Sequence, residues 1–67
     1  MYLPRLKELR EKAEKGQKEI ADLLKISQQQ YSLYETGARE IKLCYLITLS
    51  KYYRVSIDYM LGLTDKK

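Results

Sequence analysis

The side chains best suited to chemistry in this chain are glutamine amides. Gln28, Gln29 and Gln30 stand in a row after Ser27, and Gln17 precedes them. A glutamine amide can donate to N7 of adenine and accept from its N6 amino group in the DNA major groove, a contact worth roughly 1–3 kcal/mol of discrimination. Gln28 and Gln29 are therefore candidate base readers, although glutamines also occur simply as soluble helix formers.

The residue types that most enzymes and metal sites need are missing. The sequence has no histidine and one cysteine, Cys44, so it cannot build a Cys/His zinc site or a Cys-His or Ser-His nucleophile pair. Its nine acidic and thirteen basic residues recur at helical spacing, which is typical of solvated faces. We expect no enzyme activity, metal, cofactor or small-molecule substrate, and we expect Cys44 to be half-buried rather than a redox sensor.

Length and charge favour a small binding domain. With 67 residues, 45% hydrophobic and 33% charged, the chain predicts one folded domain spanning residues 1–67. A net charge of +4 favours an acidic partner such as nucleic acid. The longest uncharged stretch, Leu43 to Ser50, falls well short of the ~20 residues of a membrane span. No secretory signal is recognisable after Met1, so we expect a cytoplasmic, nucleoid-associated protein without membrane contact.

Apolar spacing and capping residues predict five helices and no strand, an all-α fold. Gly16 and Gly37 should end the first and third helices, while Ser27 caps the third, with the Gln30 side chain reaching back to it. The first two helices should bury Leu6, Leu9 and Ala13, then Ile20, Leu23 and Leu24. The predicted helices are Pro4 to Lys15, Gln17 to Leu24, residues 28–36, Leu43 to Tyr53, and a fifth between Ser56 and Gly62.

The fourth helix is apolar on nearly every side. One stripe contains Leu43, Leu46, Ile47 and Tyr53, and another contains Tyr45, Leu49 and Tyr52. Such a helix either is the central core element or shares a face with a second subunit. We expect residues 43–62 to serve both purposes, with a purely internal core as the alternative. The expected homodimer surface consists of Tyr45, Leu49, Tyr52 and Met60.

The stretch from Gln17 to Gly37 resembles the helix-turn-helix of the Cro and phage-repressor (XRE) family. That family's pattern is Gln-x-x-Leu/Ile-Ala, then Ser-x-x-x-apolar-Ser-x-aromatic-Glu-x-Gly, and the segment from Val55 to Gly62 is similar to its closing helix. The resemblance implies a five-helix, lambda-repressor-like DNA-binding domain with the motif at residues 17–37 in helices two and three. It also implies a transcriptional regulator, most simply a repressor, that binds a pseudo-palindromic operator in double-stranded DNA as a homodimer. The alternative is an antitoxin or anti-regulator that acts mainly through a protein partner.

In such a protein the recognition helix, residues 28–36, lies in the major groove. The residues expected to read bases are Gln28, Gln29, Ser32 and Leu33. Leu33 can make only apolar contact there, for example with a thymine methyl group, and ordinary packing or exposure is an equal alternative for it. The residues expected to contact phosphate are Gln17, Lys25, Gln30, Arg39 and Lys42.

An acid in the recognition helix requires a structural explanation, because it would repel DNA phosphate. The resemblance implies that Glu35 forms an ion pair with Arg10 of the first helix. From Gln17 to Lys42 the chain carries four basic and four acidic residues, so charge alone gives the motif little support.

Overall fold

The computed structural model describes residues 2–67 and confirms the all-helical fold with five helices and, within that range, no strand. The helices pack into a body of 30 × 23 × 19 Å. Their bounds are α1 Pro4–Lys12, α2 Gln17–Leu24, α3 Gln28–Thr36, α4 Leu43–Tyr53 and α5 Ile57–Met60.

The end of α1 differs from the prediction. The helix stops at Lys12, with Ala13 as an exposed C-cap residue, and Glu14 takes the left-handed conformation (φ 58°) expected of a glycine. Gly16 instead has an extended backbone and is the N-cap of α2, where its amide donates to Glu19 Oε1 at 3.2 Å. The prediction that Gly16 ends α1 and that Ala13 is buried is therefore wrong, because the chain already turns at Glu14.

The ends of α2 and α3 hold the two helices in a tight helix-turn-helix. α2 ends at Lys25, which has a left-handed φ of 60°. α3 begins at the Ser27 cap, whose hydroxyl accepts from the Gln30 amide at 3.0 Å, and it ends at Gly37 with φ 81°. The prediction that the Gln30 side chain reaches back to Ser27 is wrong, because this side chain donates to the Tyr34 hydroxyl instead.

One core joins all five helices. The spacing of α2 also predicts Ile20, Ala21 and Leu24 in the core, and all three are buried, whereas Leu23, expected on the same face, is exposed. The buried apolar residues are Leu3, Leu6, Leu9, Ile20, Ala21, Leu24, Tyr31, Tyr34, Leu46, Leu49, Val55, Tyr59 and Met60.

α4 lies across this core, and the burial of its residues contradicts part of the predicted dimer surface. Leu49 and Met60 are 0% and 1% exposed, so they belong to the core and cannot form a face for a second subunit. Tyr45 is partly buried against the core, and Tyr52 alone of the four is exposed. Cys44, expected to be half-buried, is also exposed. The other large apolar side chains that α4 exposes are Leu43 and Ile47.

The last residues fold back onto α1. Ser56 caps α5 by accepting from the Tyr59 amide, and Gly62 turns the chain with φ 79°. Arg5 then anchors the segment: its guanidinium donates to the Tyr59 carbonyl oxygen at 2.7 Å, pairs with Asp65 at 2.8 Å and stacks on the Tyr59 ring. The described helices include none with the length and apolar character that a membrane crossing requires.

Candidate nucleic-acid interface

A shallow concave surface lies where the start of α2 meets the start of α3. It is lined by Gln17, Ser27, Gln28, Gln29 and Ser32. Three of the residues expected to read bases and one expected to contact phosphate therefore lie on one continuous surface. The fourth expected base reader, Leu33, lies on the exposed side of α3 and does not line the concavity.

The sequence of α3 determines which side chains this surface displays. Tyr31, Tyr34 and Glu35 are buried, so the opposite side of the helix faces solvent. Because the helix advances about 100° per residue, Gln29 and Leu33 lie on that exposed side, with Gln28 at its edge towards α2. The Ser27 cap places the first turn of α3 at the open end of the motif, where Gln28 and Gln29 are exposed.

Gln17 connects the concave surface to a buried ion pair. Its Nε2 donates to Glu35 Oε1 at 3.1 Å, which holds the half-buried side chain in one orientation. One amide hydrogen is thus used within the protein, while the first backbone amides of α2 have no acceptor within the helix. Gln17 is the first residue of α2, at the helix end whose dipole attracts anions.

Glu35 is the acid at the centre of this arrangement. Arg10 Nε donates to Glu35 Oε2 at 2.7 Å and Arg10 Nη2 to Oε1 at 3.3 Å, and the two side chains are 12% and 3% exposed. Arg10 Nη1 also donates to the Lys15 carbonyl oxygen at 2.8 Å. The structure therefore forms the Arg10–Glu35 ion pair that the resemblance implies, and this pair ties α1 to α3 and to the loop before α2.

The environment of Glu35 keeps it ionised. Burial acts to raise the pKa of the Glu35 carboxyl, but hydrogen bonds from Arg10 and Gln17, together with the Arg10 charge, outweigh burial and lower that pKa. Hydrogen bonding to Glu35 likewise raises the pKa of the Arg10 guanidinium. Burial, followed by the negative charge of Glu35, raises the pKa of the Tyr31 and Tyr53 phenols, so both remain neutral.

The spatial arrangement also changes the charge balance of the motif. Two of its four acids, Glu35 and Glu19, pair with cations from outside the segment, Arg10 and Lys15; the Lys15–Glu19 contact is 3.7 Å. The charge around the motif is therefore more positive than the neutral count along residues 17–42 suggests.

Four more residues are expected to contact phosphate: Gln30 is half-buried, and the other three are exposed but dispersed. Lys25 lies at the C-terminal end of α2, outside the concave surface. Arg39 lies in the loop after α3, where its amide donates to the Leu33 carbonyl oxygen at 3.2 Å. Lys42 is the N-cap of α4, and its Nζ lies 6.0 Å from the centre of the Tyr45 ring.

The sequence analysis does not predict two hydrogen bonds of the site: Gln17 to Glu35, and Gln30 to Tyr34 at 2.8 Å. The second had a signal, because residues four apart on a helix are neighbours. The first had none, since residues 17 and 35 meet only after α2 and α3 have packed. Among residues 2–67, no group of three or more His, Cys, Asp or Glu side chains is placed to hold a metal ion.

These features define a class. Two short helices joined by a tight turn, the second capped by a serine and exposing a polar face, form a helix-turn-helix domain on a five-helix scaffold. A family profile described as helix-turn-helix matches residues 6–60, and the chain belongs to this family, with the Cro and phage-repressor (XRE) type of motif.

Several transcriptional regulators of one bacterium are similar in sequence to this chain. The HTH-type transcriptional regulator YobD of Bacillus subtilis (strain 168) is 37% identical over 65 residues, which cover 97% of this chain and 58% of YobD. ImmR and YqaE, also HTH-type transcriptional regulators of Bacillus subtilis (strain 168), are 47% and 38% identical over 87% and 91% of this chain. Those matches cover 46% of ImmR and 53% of YqaE, so the chain spans about half the length of these relatives.

A crystal structure of a transcriptional regulator from Listeria innocua has the same fold. It superposes with a TM-score of 0.87 at 24% identity and covers 100% of this chain and 63% of the other. At that level of identity the likeness concerns the fold alone.

Proposed function

We propose that this domain binds double-stranded DNA in a sequence-specific manner and regulates transcription. The observation that carries the proposal is the concave surface on which Gln28 and Gln29 stand beside Gln17 at the open end of the helix-turn-helix. The similar proteins ImmR, YobD and YqaE are named as transcriptional regulators, the last two without further characterisation, and this supports the same function.

In this proposal α3 enters the major groove with its first turn leading. Gln28 and Gln29 pair with adenines, Ser32 contacts a base edge, and Leu33 packs on a thymine methyl group. The phosphates along the walls of the groove then lie close to the other polar residues of the motif. The proposed phosphate contacts are Gln17, Lys25, Gln30, Arg39 and Lys42.

We further propose that two copies bind a pseudo-palindromic operator, with half-sites about 34 Å apart, and repress by blocking access to the promoter. Leu49 and Met60 take no part in the dimer, because the core contains them. Tyr52 remains from the expected dimer surface, and α4 adds exposed Leu43 and Ile47. A regulator of this kind works in the cytoplasm on nucleoid DNA and needs no catalytic group.

The test is selection of bound duplexes from a randomised pool at about 150 mM salt, because weaker ionic strength exaggerates non-specific binding. The wild type should enrich a two-fold symmetric motif with adenine positions. Gln28→Ala with Gln29→Ala should lose the preference at those adenines while keeping the thermal unfolding midpoint of the wild type.

A matched control is Thr48→Ala on the exposed side of α4, which should leave the motif unchanged. Failure of the folded wild type to enrich any duplex would reject DNA reading and redirect the search to a protein partner.

A further inference from the structure

A hydrogen bond within α3 joins a surface amide to the core. Gln30 Nε2 donates to the Tyr34 hydroxyl at 2.8 Å, one helical turn away. Tyr34 is 2% exposed, and its ring packs against Tyr45 with the ring centres 5.9 Å apart. The backbone amide of Gln30 is used as well, because it donates to the Ser27 hydroxyl at 3.0 Å. The half-buried Gln30 is thus fixed at both its backbone and its side chain.

We propose that Tyr34 is a positioning residue that holds the Gln30 amide against a DNA backbone phosphate. This proposal rests on the proposed function. It gives a core residue an indirect role in DNA binding. The buried Tyr34 does not touch DNA; it acts only through Gln30.

The placement of Gln30 on α3 argues for a phosphate rather than a base. The concave surface, with Gln17 and Gln28, lies along one flank of the helix. At about 100° per residue, Gln30 lies some 160° around the helix from Gln28, towards Tyr34 and Tyr45 and therefore on the opposite flank. When a helix occupies the major groove, its flanks face the two walls of the groove, and those walls carry the phosphates.

The chemistry of the amide fits this geometry. Nε2 of glutamine has two hydrogens, and the Tyr34 oxygen accepts one of them. The second hydrogen remains available for a phosphate oxygen. Because Tyr34 fixes the side chain in advance, binding DNA costs less rotamer entropy than it would for a free glutamine.

A substitution can remove the hydroxyl of Tyr34 without changing the packing of its ring. The ring fills the core, whereas the hydroxyl oxygen is the atom that reaches Gln30. Tyr34→Phe therefore keeps the buried ring and releases the Gln30 amide. We expect the unfolding midpoint of this variant to stay within a few degrees of the wild type and its affinity for the selected duplex to fall roughly 3- to 10-fold.

The experiment is a double-mutant cycle with Tyr34→Phe, Gln30→Ala and the double variant. Dissociation constants are measured for the selected duplex and for single-base variants of it, at several salt concentrations. Each substitution should weaken binding equally on every duplex, and the double variant should bind no worse than Gln30→Ala alone. The salt dependence should stay unchanged, since the amide is neutral. Tyr59→Phe, at a buried tyrosine of α5 outside the proposed DNA-binding surface, is the matched control and should bind as the wild type does.

Additive losses, or losses confined to certain base pairs, would overturn the proposal. Nuclear magnetic resonance of the free protein provides a readout that does not depend on DNA. In Tyr34→Phe the Gln30 side-chain amide signals should move towards the shifts of a free glutamine, and unchanged signals would refute the positioning role even if the wild type binds DNA. If the wild type bound no duplex while the Gln30 signals changed as expected, the proposed function would fail and the phosphate contact would fall with it.

Discussion

Replacing Glu35 with glutamine tests the buried ion pair that holds the helix-turn-helix on α1. The carboxylate accepts from Arg10 Nε at 2.7 Å, from Arg10 Nη2 at 3.3 Å and from Gln17 Nε2 at 3.1 Å. An amide in its place has one oxygen and one NH2 group, so whichever way it turns, a donor of Arg10 faces another donor. At least one charge-assisted hydrogen bond is lost and Arg10 is left without its counter-ion in a site where it is 12% exposed.

A hydrogen bond to a charged group contributes roughly 1.5–3 kcal/mol, and the unpaired charge adds to its loss. We therefore expect Glu35→Gln to lower the free energy of unfolding by about 3 kcal/mol. For a domain of this size that corresponds to a fall of roughly 12–24 °C in the unfolding midpoint. Domains of this length have a total stability of only about 3–10 kcal/mol, so the effect is large.

The assay is thermal and urea unfolding followed by circular dichroism. The matched control is Glu19→Gln, since Glu19 has a side chain 60% exposed and a Lys15 contact of 3.7 Å; it should change stability by less than about 0.5 kcal/mol. Arg10→Met combined with Glu35→Leu removes both charges and should be less destabilising than the two single changes added together. A stability of Glu35→Gln within 1 kcal/mol of the Glu19→Gln control would refute the reasoning.

Three further predictions follow from local features. Because folding lowers the pKa of Glu35, the contribution of Glu35 to stability is present above its ordinary pKa of about 4.5 and is lost as pH falls through the folded pKa. Urea unfolding between about pH 6 and 2 should show this loss, and Glu35→Gln should make the unfolding free energy depend less on pH. Gly37→Ala should destabilise the fold by about 2 kcal/mol or more, because the backbone has φ +81° and a Cβ there would lie 2.9 Å from Tyr2 Cα. Gly62→Ala has a similar φ of +79° but open space around the new Cβ, so it should cost only about 1 kcal/mol. Thermal unfolding of the two variants therefore separates the effect of the contact from that of the backbone strain. Arg54 has a left-handed φ of 60° at the end of α4, so Arg54→Gly should raise the unfolding free energy by about 0.5–1 kcal/mol, and a decrease in urea unfolding would contradict this account.

Much of the fold could be predicted because its signals are local. Ser27 and Gly37 bound α3, and each acts on backbone groups within three residues of itself. The end of α1 could not be predicted in the same way. Glu14 and Gly16 compete for the turn, and the outcome depends on the cap that Gly16 provides for α2.

The surface of α4 shows what apolar spacing cannot resolve. Leu49 and Tyr52 stand on the same predicted stripe, yet one is in the core and the other is exposed. Only the packing of neighbouring elements on α4 distinguishes them, and that packing involves residues far away in the chain.

The candidate site was predicted in its residue types but not in its internal bonds. The row of glutamines and the motif around them indicate a DNA-reading helix. Which glutamine amide is used inside the protein depends on distances set by tertiary structure: Gln17 bonds to Glu35, and Gln30 bonds to Tyr34. Gln28 and Gln29 are the two that remain exposed at the start of α3.

The most direct test of the central claim is to map the DNA-binding surface by nuclear magnetic resonance. A selected duplex is added to the ¹⁵N-labelled protein, and amide shifts are followed at about 150 mM salt. The account predicts changes concentrated at the start of α2, along the exposed side of α3 and in the loop at residues 37–42, including the side-chain amides of Gln28 and Gln29. Changes confined to α4 and α5, with α3 unaffected, would contradict it.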